Sequence, residues 1–191
     1  KAIKEPHVVS ISISTFSGHF VEIDKVLQYW KFEQVVYIDD WFFEEYCYKK
    51  YDELPIVPNK ILVENFHGLG YGDNPKYIVE ELLKSNVNMD IVWIVKPGTS
   101  YSFPEGIRTV EINSEEFYKE VSTSAIWLSN VRKHRNIMKR NEQFYIQTWH
   151  GFPFKRIEKD AEESAGGASA LYFDEGKRDS KMINLLLSNS T

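Results

Sequence analysis

From Lys60 to the end of the chain, short apolar runs alternate with stretches of helical periodicity, and that alternation allows few folds. Ile61–Phe66, Ile91–Val95, Arg108–Ile112, Ala125–Leu128, Phe144–Thr148 and Leu185–Leu187 read as strands. Between them, residues Pro75–Ser85 place Ile78, Val79, Leu82 and Leu83 on one helical face, and Ser114–Val121 read as a second helix. Asn113 stands where a cap for that helix is expected, with Glu116 at capping-box spacing from it. Short, uniformly apolar strands that alternate with helices predict an α/β fold, a parallel sheet covered on both faces. In such sheets ligands sit beyond the carboxyl ends of the strands, so the strand-to-helix loops are where chemistry is expected.

Residues 1–58 read as a separate small α/β region. Val8–Ile13 and Val35–Ile38 have strand character, and Phe20–Trp30 and Trp41–Tyr51 have helical character. In the latter, Trp41, Phe42, Phe43, Tyr46, Tyr48 and Tyr51 spread around the wheel, as in a helix buried between modules. A membrane-surface helix would carry more lysine and arginine on its polar face. Pro55 and Pro58 punctuate residues 52–59 as a linker, which makes residues 59–191 the second domain. Ala165–Ala170 reads as a mobile loop.

Composition narrows the function. With 42% apolar and 27% charged residues the chain reads as a soluble globular protein, and its net charge of −5 offers no field for nucleic acid. Recognition of phosphate must therefore be local. No apolar run approaches the roughly 20 residues that span a bilayer. The single cysteine, Cys47, excludes an intrachain disulfide, suits a reducing cytoplasm and reads as packing, since no base lies near it in sequence. The five histidines lack HxxxH or Cys/His spacing, which argues against zinc. The chain opens at Lys1 without a signal-peptide pattern and closes just after a strand, so it reads as a piece of a longer protein.

Three loops stand out. His67–Pro75 carries Gly68, Gly70 and Gly72, which let backbone amides approach a ligand. Asp73 closes this loop, and Asn74 followed by Pro75 suits the start of a helix whose amino end would favour an anion. A tight turn with no ligand explains the glycines equally well, and the spacing is not that of a dinucleotide fingerprint. Ser129–Arg135 is basic. Lys133, His134 and Arg135 read as a solvated face, while Asn130 and Arg132, nearest the strand end, are placed to meet phosphate or to orient a catalytic loop. Phe144–Thr148 runs into Trp149, His150 and Gly151, with Lys155 and Arg156 shortly after. A histidine at a strand end can take a proton near neutrality, and the two cations can neutralise phosphate oxygens.

Taken together, several segments resemble the CDP-glycerol glycerophosphotransferase family, which contains teichoic acid primases and polymerases and some capsule polymerases. They are Glu64-Asn65-Phe66-His67-Gly68, Tyr71–Pro75, Trp127–Asn130 with Arg132, and Tyr145–Gly151 with Lys155. Asp179–Met182 and Leu187–Ser190 complete the set. The resemblance covers about residues 60–191, and Thr148-Trp149-His150-Gly151 is its most specific part. It implies the amino-terminal, acceptor-side half of a GT-B architecture, in which Rossmann-like halves face a cleft, with the donor-binding half absent from this chain. It also implies His150 as general base: a polyol-phosphate or lipid-linked acceptor attacks CDP-glycerol or CDP-ribitol, and CMP leaves. Gly68, Gly70, Asp73, Asn74, Asn130, Arg132, Lys155 and Arg156 are then the candidates for holding substrate or phosphate. No protein metal site is expected, and Mg²⁺ remains compatible with the reaction. The implied setting is cytoplasmic, peripheral on the inner face of a bacterial membrane, with any membrane contact outside this segment. Val131 and Gly72 stand where the family usually has serine.

Two other readings fit the same sequence. One is a GT-B transferase that uses a nucleotide sugar, and the other is a non-catalytic α/β module that binds phosphorylated polymer. Assays with CDP-glycerol, CDP-ribitol and nucleotide sugars side by side discriminate the first. Whether a second Rossmann-like half follows in the gene discriminates the second.

Overall fold

The structure, a computed structural model, describes Cys47 and residues 50–134, 137–151 and 170–187. The expected strands Val8–Ile13 and Val35–Ile38, the helix Phe20–Trp30, most of Trp41–Tyr51 and the loop residues 165–169 lie outside the described residues. Cys47 is fully buried. The chain divides into two compact units, residues 1–50 and residues 51–191, and the second contains every strand described here.

That unit runs β1 (Val57–Glu64), α1 (Asp73–Lys84), β2 (Asp90–Val95), β3 (Ile107–Glu111), α2 (Glu115–Thr123), β4 (Ser124–Ser129), β5 (Phe144–Gln147), α3 (Ala170–Met182) and β6 (Leu185–Leu186). Every pairing is parallel, and the strands lie in the order β3-β2-β1-β4-β5-β6. This is the parallel α/β sheet that the alternation predicts, in the Rossmann-like form that the resemblance implies. Its order reverses between β1 and β4, the kind of switch point beside which α/β sheets bind ligands beyond the carboxyl ends of their strands.

The apolar runs are uniform because these strands are covered. All five residues from Ile91 to Val95 are buried, and β1 is buried from Lys60 to Glu64. Ile61, Val63, Ile91, Trp93, Val95, Leu128 and Val79 of α1 form one cluster, flanked by Ile78, Leu82 and Leu83. Burying each such side chain contributes roughly 1.5–3 kcal/mol. At the amino ends, Lys60 Nζ donates to Glu120 Oε2 (2.8 Å) and Thr123 Oγ1 (2.7 Å). Arg108 spans Asp90 and Glu120 (2.6–2.8 Å), which ties α2 to β1, β2 and β3. One set of structural charges thus sits at the amino end of the sheet, opposite the carboxyl ends of the strands.

Several local expectations need correction. β1 begins at Val57, inside the expected linker. Its register slips between Val57 and Ile61, so Pro58, which has no N–H, falls where the ladder is interrupted. Phe66 is not the last residue of a strand but a turn residue with φ 42°. Ser114, not Asn113, caps α2: its Oγ accepts from the Phe117 amide at 3.1 Å, while Asn113 adopts φ 64° in the preceding turn. Glu116 is therefore one residue out of capping-box position. Gly72, not Asn74, occupies the cap of α1 and has no side chain to cap with, while Asn74 lies inside the first turn. Helix α3 has no counterpart among the expected elements.

Candidate active site

The three loops of interest converge at the switch point. Asn130, just past β4 and fully buried, joins them. Its Oδ1 accepts from the Phe66 amide (2.9 Å), and its Nδ2 donates to Asn65 Oδ1 (2.8 Å) and Asp73 Oδ2 (2.7 Å). Its backbone carbonyl receives His150 Nδ1 at 2.5 Å. A carbonyl only accepts, so the ring proton sits on Nδ1 and Nε2 carries the lone pair. Asn130 thus holds the first loop by its side chain and the histidine by its backbone.

His150 is exposed at the end of β5 and is fixed from several sides. Its ring stacks on Trp149 (4.5 Å, 22°) and lies 5.4 Å from the Phe66 ring. Trp149 has φ 56°, and its amide donates to Gln147 Oε1 at 2.9 Å. Such a conformation costs a bulky residue about 1 kcal/mol or more, and it persists where surrounding contacts dictate it. Asn74 supplies two of these: its Nδ2 donates to the carbonyls of Thr148 (3.3 Å) and Trp149 (3.4 Å). The residue expected to cap α1 instead clasps the histidine loop.

Beneath this surface lies a buried polar layer. Lys133 is not solvated as its basic neighbourhood suggested. Its side chain is 2% exposed, and its Nζ reaches Glu64 Oε2 at 2.5 Å. The rings of Trp127 and Tyr145 lie 5.7 Å from the ammonium. Burial opposes ionisation of Glu64, but the Lys133 charge and hydrogen bonds from His67 and Lys133 outweigh it and hold the carboxyl down at about 2. Asp179 of α3 accepts from the Lys133 amide at 2.9 Å. Burial raises its carboxyl above the usual range, against the pull of the same amide and of Lys133, Arg178 and Arg132. His134 is exposed, as expected, and Arg135 lies outside the described residues.

The remaining candidates are distributed unevenly. Gly68, at φ 86°, is required by packing: a Cβ there would lie 2.6 Å from the Lys96 nitrogen, and its own carbonyl accepts that amide at 3.0 Å. Gly70, at φ 83°, has an open α-carbon, and its carbonyl accepts from Trp93 Nε1 (3.2 Å) and Asn65 Nδ2 (3.3 Å). Asp73 places its carboxylate in the first turn of α1, where the helix dipole favours negative charge. Arg132 lies 4.2 Å over the Tyr172 ring and donates to the Tyr172 carbonyl. Lys155 and Arg156 lie outside the described residues. Among the described residues no group of three His, Cys, Asp or Glu is arranged to hold a metal, and no helix is long and apolar enough to cross a membrane.

Glu64, Asn65, Lys133 and Asp179 were not among the expected site residues. For the first two a signal exists in the sequence, since a charged and an amide residue close an otherwise apolar strand. Asp179 opens one of the segments that resemble the family, though without a role, and Lys133 carries no signal, because its partner is distant in sequence.

The sequence model of the CDP-glycerol:poly(glycerophosphate) glycerophosphotransferase family matches residues 47–191, thirteen residues earlier than the resemblance suggests. The chain is 38% identical over 105 residues to a teichoic acid poly(glycerol phosphate) polymerase of Staphylococcus epidermidis, covering 55% of this chain and 15% of that protein. It is 31% identical over 150 residues to a teichoic acid glycerol-phosphate transferase of Staphylococcus aureus, covering 76% and 38%. Among solved structures, a variant of the wall teichoic acid polymerase TagF matches with a TM-score of 0.69 at 32% identity, over 76% of this chain and 36% of that one. The same variant soaked with CDPG matches equally well. The chain thus spans well under half the length of each of these relatives. With a family match across most of its length and the same fold in TagF, this chain belongs to the CDP-glycerol:poly(glycerophosphate) glycerophosphotransferase family.

Proposed function

We propose that this protein transfers glycerol phosphate, or a related polyol phosphate, from a CDP-activated donor to a hydroxyl of a teichoic-acid-type acceptor, with His150 as general base. The observation that carries the reading is the contact of His150 Nδ1 with the Asn130 carbonyl, which fixes the tautomer and leaves Nε2 basic. The acceptor hydroxyl oxygen attacks the β-phosphorus and its proton passes to Nε2. The bond from that phosphorus to the bridging oxygen breaks, and CMP departs with the electron pair. The donor faces His150 across a cleft of which this sheet is the acceptor wall. Lys155 and Arg156, a few residues beyond His150, are the cations assigned to the phosphate oxygens. A nucleotide-activated donor and a single, buried cysteine, Cys47, suit the cytoplasmic face of the membrane.

The test is the His150→Ala variant of the full-length protein, assayed with CDP-glycerol, CDP-ribitol and nucleotide sugars side by side. Turnover with a CDP-polyol is expected to fall by roughly 10²–10⁴-fold, with donor affinity unchanged. Turnover at the wild-type rate removes His150 from the chemistry, and preference for a nucleotide sugar overturns the donor class.

A further inference from the structure

We propose that His67 is a second ligand-contacting histidine of this site and that it holds the phosphate group of the acceptor. This rests on the acceptor-side reading above. Phe66 and His67 are consecutive left-handed residues (φ 42° and 55°) immediately beyond β1. Phe66 is bulky and is strained there beyond what a turn alone requires, whereas histidine is among the residues that adopt this region more readily. The surroundings enforce it. Asn130 Oδ1 takes the Phe66 amide, and the Asn65 carbonyl takes the amides of Gly68 (2.9 Å) and Leu69 (3.0 Å). The turn sets the Phe66 ring 5.4 Å from that of His150 and leaves the His67 side chain 61% exposed at the same carboxyl end of the sheet.

The polarity of the His67 ring follows from its partner. Nδ1 lies 3.3 Å from Glu64 Oε1. Glu64 is buried and ionised, so it can only accept, and the Nδ1 proton points inward. Nε2 is then the edge available to a ligand. The negative charge of Glu64 is already matched by Lys133 on its other oxygen, and the Asp73 carboxylate is engaged by the Asn130 amide. Among the described cations near this end of the sheet, Lys133 is buried, Arg132 lies over Tyr172, and Lys96, just past β2, is exposed.

The two histidines thereby differ in role. His150 gives its inner proton to a neutral carbonyl and keeps a basic Nε2 for the attacking hydroxyl. His67 gives its inner proton to a carboxylate. An imidazolium has an N–H on each nitrogen, so a charged ring at this position can serve two anions, the Glu64 carboxylate at Nδ1 and a phosphate oxygen at Nε2. A polyol-phosphate acceptor carries hydroxyl and phosphate on one short chain, so the two rings are suited to gripping one end and activating the other.

Calorimetry on the full-length protein tests this, with sn-glycerol 3-phosphate and glycerol as probes that differ by one phosphate. His67→Asn is the variant of choice, because asparagine tolerates the left-handed conformation. The wild type is expected to bind sn-glycerol 3-phosphate more tightly than glycerol. In His67→Asn that affinity should fall at least about tenfold, the effect of losing a charge-assisted hydrogen bond, with CDP-glycerol affinity unchanged. In turnover, KM for a phosphorylated acceptor should rise while kcat is retained. Unchanged sn-glycerol 3-phosphate affinity in the variant overturns the proposal, as does a wild type that binds both probes alike at millimolar concentrations. Wild-type turnover by His150→Ala would sink the base assignment without touching the His67 result, so the two failures are distinguishable.

Discussion

The ammonium of Lys133 lies 2.5 Å from Oε2 of Glu64, two side chains that meet beneath the carboxyl ends of adjacent parallel strands. Neither is exposed beyond 6%. Taking both charges out of water is costly, and their attraction offsets that cost only while both are present. Lys133→Met is therefore expected to destabilise the protein by about 3–5 kcal/mol, because it strands a buried carboxylate. Adding Glu64→Gln should recover much of the loss. Urea denaturation followed by circular dichroism reads both. A single variant within about 1 kcal/mol of wild type would mean that the pair is not buried in solution.

The same pair predicts an acid limit. The Glu64 carboxyl is held at about 2 in the folded protein, below its ordinary 4.5. A depressed folded pKa contributes stability that is fully present above the unfolded pKa and is lost as pH falls through the folded one. The contribution, roughly 3 kcal/mol, is expected to be intact at neutral pH and to disappear progressively below the ordinary glutamate range, toward pH 2. Asp179 works the other way. Burial raises its carboxyl, so its ionisation costs stability above its unfolded pKa, and protonation relieves that cost as pH falls through the raised value. Comparing wild type with Asp179→Asn across acid pH separates the two. An acid loss of stability that persists undiminished in the Lys133→Met, Glu64→Gln double variant would assign it elsewhere.

Two glycines with similar backbone angles should respond very differently to alanine. Gly68 (φ 86°) would push a Cβ against the backbone at Val95 and Lys96, at 2.6–2.8 Å, whereas Gly98 (φ 73°) would meet nothing within 4 Å. Gly98→Ala bears only the left-handed penalty, about 1 kcal/mol. Gly68→Ala adds overpacking against a strand end that cannot move aside, for a total of about 2–4 kcal/mol. Equal destabilisation of the two variants would show that the first loop is not pressed on β2.

These cases also show which features a sequence exposes. The central strands β1, β2 and β4 announce themselves because burial makes them largely apolar, and α1 does so through Ile78, Val79, Leu82 and Leu83. Helix α3 does not, since Ala170–Met182 is mostly polar around Tyr172 and Phe173 and shows no continuous stripe. Asn113 and Ser114 are adjacent and equally good caps, and only the observed backbone decides for Ser114. At the site, the convergence of His150 and Asn130 at strand ends follows from the α/β pattern. The fate of Lys133 does not: its neighbours in sequence are polar, and its partner stands 69 residues away. The contacts of Asn74 are hidden for the same reason, with its amide drawn to carbonyls more than 70 residues distant.

Asn130 offers the sharpest test of how the site is assembled. Its side chain joins Asn65, Phe66 and Asp73, while His150 is held by its backbone carbonyl alone. Removing the side chain therefore keeps the histidine's partner atom and releases the loop that positions it. Asn130→Ala leaves the Phe66 amide and the Asn65 and Asp73 side chains short of partners, and should destabilise the fold by about 1–3 kcal/mol. Asn130→Asp keeps the acceptor for the Phe66 amide but sets a carboxylate against Asp73, which makes it the worse of the two for that loop. In the full-length protein both are expected to lower kcat about 10–100-fold with donor affinity nearly unchanged, since a displaced base loses alignment before binding is affected. Stability and kcat measured together decide the matter. A destabilised variant that turns over at the wild-type rate would leave Asn130 a structural residue and free His150 from dependence on it.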